Sequence, residues 1–184
     1  MEMSNWMTLA RRIYDVAMRV LGIDPGLRLT GYGCVEAGPG GEACIEAGVI
    51  RVPQGKPMET RLAALHAPLC ELIAELRPDH VVVESVFAHR LRGQTAMLMG
   101  HARGVILLAI ANAGLEAHEL APAEVKKAVA GSGRADKVQM QHAVASQLGL
   151  AEVPQPADAA DALALALCGL RRLSGPATSI QGAE

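Results

Sequence analysis

The chain has 184 residues, half of them apolar and a fifth charged, enough for one soluble domain with a substantial core. A net charge of −2 excludes a protein that is basic overall, so a nucleic-acid partner would need a local basic surface or bound cations. The four cysteines and six histidines form no zinc pattern, and no apolar run approaches the ~18–20 residues of a membrane span; the expectation is a cytoplasmic protein with free thiols and no membrane partner.

Residues 1–17 carry Arg11, Arg12 and Asp15, lack the apolar stretch of a secretion signal, and read as a flexible extension. An apolar run at 19–24 reads as a buried strand ending on Asp24, after which Pro25-Gly26 turns the chain. Segments 30–37 and 43–52 read as two more strands joined by Gly38-Pro39-Gly40-Gly41, giving an antiparallel meander. Over 58–77 the period changes. Leu62, Leu65, Leu69, Leu72, Ile73 and Leu76 recur at helical spacing, with Pro68 expected to kink or divide the helix and Pro78 to end it. His80-Val81-Val82-Val83-Glu84 reads as a short strand covered on both faces.

Residues 85–93 read as a loop. Residues 94–113 read as a helix whose Gly100 and Gly104 favour close packing, and 115–121 as the last strand. Helices follow at 122–130 and 136–148, separated by Gly131-Ser132-Gly133, then at 157–173, leaving 174–184 as a disordered tail. The order βββ-α-β-α-β-α-α-α predicts an α/β fold with a mixed sheet and helices on both faces.

Two strands end in acids, Asp24 and Glu84, and ligands of open α/β sheets gather at such ends. Asp158 and Asp161, three apart, share one face of the last helix. Each has a bland alternative: a turn residue, a surface acid, or acids favouring a helix N-terminus. Together they change the balance. Four converging carboxylates repel by roughly 4 kcal/mol per pair at ~4 Å and a dielectric near 20. Hard divalent cations remove that cost, which points to Mg²⁺ or Mn²⁺ and to two-metal phosphoryl transfer. Gly26, Gly31 and Gly33, lacking side chains, would let a phosphate backbone approach.

The stretches Val20–Gly33, Val81–Phe87, His101-Ala102-Arg103-Gly104-Val105, Ala121–Lys127 and Asp158–Leu167 resemble, in order and spacing, the RuvC family of bacterial crossover-junction endodeoxyribonucleases. The resemblance spans 18–173 and leaves the N-terminal extension outside. It implies a ribonuclease H-like nuclease domain over 18–173, a mixed five-stranded sheet, and a homodimer. It also implies Mg²⁺-dependent resolution of Holliday junctions by paired symmetric nicks in DNA recombination and repair, alongside the RuvA–RuvB branch-migration complex. Two ions per site, with Mn²⁺ as substitute, would be held by Asp24, Glu84, Asp158 and Asp161.

Further contacts are expected from Phe87, the chain's one phenylalanine, which would stack on an unpaired base at the junction. Arg90, Arg92 and Arg103 form a basic stretch without acids, and Lys126, Lys127, Arg134 and Lys137 a second one. Lys126 and Lys137 match lysines important in the family and are the first choices for phosphate contacts. Two alternatives remain open: an ATP-binding protein of the actin–hexokinase group, whose first phosphate loop also follows Gly-Ile-Asp, and a junction-binding protein without catalysis.

Overall fold

The computed structural model describes residues 17–85 and 93–174. The expectations for the extension, for the loop with Phe87, Arg90 and Arg92, and for the tail beyond residue 174 therefore lie outside the described residues.

Among these, five strands form one sheet: β1 (Met18–Asp24), β2 (Leu29–Gly38), β3 (Gly41–Arg51), β4 (His80–Glu84) and β5 (Ala117–Leu120), in the order β3-β2-β1-β4-β5. β1 pairs antiparallel with β2, and β2 with β3, as short connections require. β4 runs parallel to both β1 and β5, through helical crossovers. The helices are α1 (Met58–Leu76), α2 (Gly93–Asn112), α3 (Pro122–Ala130), α4 (Lys137–Gln147) and α5 (Ala157–Ser174). The element order is the one expected from sequence. α5 extends to Ser174, whose hydroxyl donates to Leu170 O at 2.8 Å, so the tail begins one residue later than expected.

The sheet divides the core in two. On one face Leu21, Ile23, Val81 and Val83 pack against α1 and α2; on the other Val20, Val35 and Val82 pack against α5, which α3 and α4 cover in turn. Strands buried on both faces explain why β1 and β4 read as continuous apolar runs.

Three local expectations need correction. α1 is not divided at Pro68 but continues as one helix of 19 residues. Proline removes one backbone donor, yet Leu65 before it and Leu69, Leu72 and Ile73 after it are all buried on the sheet side and keep the helix continuous. The helix ends where Arg77 takes a left-handed conformation, φ 47°, ahead of Pro78.

The second correction concerns α2. By length and composition alone this helix of 20 residues, with an 18-residue window of mean hydropathy 1.3, is apolar enough to cross a membrane, although no such run is expected from the sequence. His101 and Arg103 lie within it, and Ala102, Ile106, Ala109 and Ile110 bury one face on the core. The third concerns Gly100 and Gly104, which pack against none of the described residues: among these, a Cβ on either meets no atom within 4 Å. They share an outer stripe with Met97, 60% exposed, and Leu108, 54% exposed.

Candidate active site

The alternation of a strand fixes where the two strand-end acids point. In β1, Val20 lies on the α5 side while Leu21 and Ile23 lie opposite, so Asp24 falls on the α5 side. In β4, Val82 lies on that same side, between Val81 and Val83, and Glu84 follows it. The strands are parallel neighbours with Ile23 beside Val83, so both carboxylates leave the sheet at one edge and on one face. α5 crosses that face with Asp158 in its first turn and Asp161 one turn on.

What allows α5 so close is the set of glycines. A Cβ at Gly31 would overlap the Asp158 carbonyl, and one at Gly22 the Ala162 carbonyl. At Gly33 it would stand 2.8 Å from the Leu163 nitrogen. The expectation that Gly31 and Gly33 leave room for a phosphate backbone is therefore corrected: α5 occupies that space. Gly26 likewise faces the Leu29 carbonyl within its own turn. Gly31 is also the residue paired with Asp24 across β1 and β2, so this contact sets Asp158 over the Asp24 strand end.

The electrostatics match four acids crowded at one edge. Burial, then the charges of Glu84, Asp161 and Asp158, push the Asp24 carboxyl up to about 8, against the pull of Lys137. Glu84 is raised by burial and by Asp161, against Lys126. Asp161 is raised by burial and, more weakly, by Asp158, with Lys137 and Lys126 opposing. Among the described residues no three His, Cys, Asp or Glu side chains stand in a closed metal cage. The four acids share one field rather than ready-made coordination, as like charges do. The donor set is all carboxylate oxygen, without sulfur or imidazole, and fits hard divalent cations.

Lys126 and Lys137, expected at the DNA, both lie within the field of these acids. The Lys126 ammonium donates to Ala135 O at 2.9 Å, tying α3 to the start of α4. Lys137 is the first residue of α4, which the Asp136–Gln139 capping box begins. Lys127 and Arg134 are exposed.

Arg103 differs from expectation. Its guanidinium turns inward, donating to Glu84 O at 3.1 Å and pairing with the Glu119 carboxylate, and only 17% of the side chain is exposed. Without DNA, its charge is paired with the Glu119 carboxylate of β5.

Thr30 was not singled out from sequence. Fully buried, it donates its hydroxyl to Gly26 O at 2.6 Å and accepts from Gly26 N–H at 3.3 Å, closing the turn after Asp24. A threonine six residues past the strand-end acid, just after a Pro-Gly turn, was the available signal.

A model of the family described as crossover junction endodeoxyribonuclease RuvC matches residues 20–169. The chain belongs to the RuvC family. The RuvC of Pelotomaculum thermopropionicum is 48% identical over 151 residues, covering 82% of this chain and 92% of that protein. That of Chloroflexus aurantiacus is 50% identical over the same shares. Among solved structures, T. thermophilus RuvC in complex with Holliday junction substrate is 35% identical with a TM-score of 0.78, covering 85% of this chain and 95% of that one. The ribonuclease H-like mixed sheet expected from sequence is thus shown, as is the crossover junction endodeoxyribonuclease family, and the actin–hexokinase alternative falls away.

Proposed function

We propose that the protein resolves Holliday junctions in DNA recombination and repair, as a structure-specific endonuclease making paired symmetric nicks. The observation that carries this is the placement of Asp24, Glu84, Asp158 and Asp161 on one face and edge of the sheet, in a chain of this family. Asp24, Glu84, Asp158 and Asp161 would hold two divalent ions, Mg²⁺ with Mn²⁺ as substitute. When bound, such a pair supplies an activated water and neutralises charge on the leaving oxygen. The chain's own part is to deliver the acids on rigid elements and to set Lys126 and Lys137 beside them, where a scissile phosphate meets positive charge.

A homodimer suits a four-way junction, because two sites related by a two-fold axis cut two strands of like polarity. The outer stripe of α2, with Met97, Gly100, Gly104 and Leu108 open, supports that assembly. Cooperation with the RuvA–RuvB complex and a cytoplasmic location belong to the same proposal, the latter supported by four free thiols.

The test is a synthetic four-way junction incubated with Mg²⁺ or Mn²⁺ beside a linear duplex of the same sequence. Metal-dependent paired nicks that a ligase reseals are expected on the junction and not on the duplex. Junction binding with no cleavage under either metal would favour the non-catalytic alternative.

Two variants probe the DNA contacts. Lys126→Ala and Lys137→Ala are each expected to slow cleavage by about 10²-fold. A phosphate contact also lowers the slope of log affinity against log salt by about one. A slope unchanged in both variants would confine the lysines to the carboxylate field. Phe87→Ala is expected to fold normally yet lose roughly 10-fold or more in junction cleavage, the scale of one base stack. Unchanged turnover would remove the stacking role.

A further inference from the structure

The peptide unit between Glu84 and Ser85 is held from both sides. Its carbonyl accepts from Arg103 Nη1 at 3.1 Å, and its N–H donates to Leu120 O at 2.9 Å. Arg103 comes from the middle of α2, and its other terminal nitrogen pairs with Glu119, one residue before Leu120 on β5. One guanidinium therefore ties α2, β4 and β5 together just where β4 ends and residues 86–92 begin.

We propose that Arg103 is a positioning residue for cleavage: held by Glu119, it fixes the Glu84 carbonyl and so aims the Glu84 carboxylate. The physical basis is that a fixed peptide unit sets the last backbone rotation of Glu84, and with it the direction in which the side chain leaves the strand. A charge-assisted bond to the carbonyl is stronger than a neutral one, and the fork geometry of arginine lets one group serve both acceptors. Its action is on the main chain. The charges that move the Glu84 carboxyl are those of Asp161 and Lys126. Glu119, 54% exposed, is free of the core and serves to hold the guanidinium against the sheet end.

The inference rests on Glu84 being a metal-binding acid, and the experiment separates the two claims. Three variants, Arg103→Ala, Arg103→Lys and Glu119→Gln, are compared with the native chain in two ways. One is the Mn²⁺ concentration for half-maximal junction cleavage, together with Mn²⁺ bound per chain without DNA, counted by EPR. The other is junction binding in EDTA over a range of salt.

Arg103→Ala is expected to raise the Mn²⁺ requirement by about 10-fold or more, given that ~1 Å of misplacement costs on the order of 10² in rate. Junction affinity and its salt slope should stay as in the native chain. Arg103→Lys, which can serve only one acceptor well, should restore part of the loss. Glu119→Gln should move the Mn²⁺ requirement in the same direction, by a smaller factor. A weaker junction affinity with a salt slope lower by about one, and an unchanged Mn²⁺ requirement, would make Arg103 a phosphate contact and overturn the proposal. If Arg103→Ala fails to fold, Glu119→Gln decides: an increased requirement supports the proposal and an unchanged one overturns it. Asp24→Asn serves as the control. Native-like cleavage by that variant removes the carboxylate site itself, whereas its inactivity beside a native-like Arg103→Ala removes only the positioning role.

Discussion

Asp24→Asn is expected to abolish junction cleavage, by roughly 10³-fold or more, about 4 kcal/mol of transition-state stabilisation. The same change should make the metal-free protein more stable at pH 8–9. In the native fold the Asp24 carboxyl is pushed up to about 8, while in the unfolded chain it ionises near ~4. Between those limits the folded state binds more protons than the unfolded one, so stability falls as pH rises. The contribution is fully present below about pH 4 and is lost by about pH 8. Asparagine has the same shape and never ionises, so it escapes the loss. Relief of even ~2 kcal/mol corresponds to about 4–8 °C in Tm for a chain of this size.

The measurement is Tm in EDTA from pH 4 to 9. A divergence is expected, with the two proteins similar near pH 4 and the variant ahead at pH 8. Divalent metal reverses the order by stabilising the native chain at pH 8, because ligation requires ionised carboxylates. Parallel curves would mean that Asp24 is not crowded by its fellow acids.

Gly31→Ala is the second large effect, and it acts through packing. The added methyl would meet the Asp158 carbonyl directly, and backbone atoms in a buried helix cannot step aside as a side-chain tip can. Overpacking of this kind costs about 1–3 kcal/mol, or roughly 3–10 °C in Tm. Cleavage should suffer more than stability, by roughly 10²-fold, because the first turn of α5 carries Asp158 and a shift near 1 Å is enough. Junction binding in EDTA should stay native-like. Gly38→Ala is the matched control, on the same strand with nothing within 4 Å of a Cβ, and should be silent in both assays. Equal effects from the two variants would show that Gly31 acts through strand propensity instead of helix docking.

The order of elements and the four acids could be read from the sequence because each rests on a local signal. Short apolar runs bounded by turn signals carry the strands, and those runs place Asp24 and Glu84 at strand ends. What failed needed a partner from elsewhere. A glycine shows that space is left, not who takes it; at Gly31 the taker is α5, more than a hundred residues on. The pairing of Arg103 is another such feature: Glu119 lies on a distant strand, and its contact with the guanidinium is invisible until β4 and β5 pair. Pro68 was overread for the same reason. Propensity argues for a break, whereas the buried leucines on either side argue for continuity, and burial decides.

The trough that Gly22, Gly31 and Gly33 form for α5 also sets a time at which the nuclease comes into being. The sheet carrying Asp24 and Glu84 is complete once β5 has been made, at Leu120. Asp158 and Asp161 arrive later, on the last described element, so the four-acid cluster is incomplete until α5 has been made. Until α5 docks, the face of the sheet that carries Val20, Val35 and Val82 lacks its main cover and the four acids are not together. A chain stopped before α5 therefore carries Asp24 and Glu84 but neither Asp158 nor Asp161, only half of the four-acid cluster.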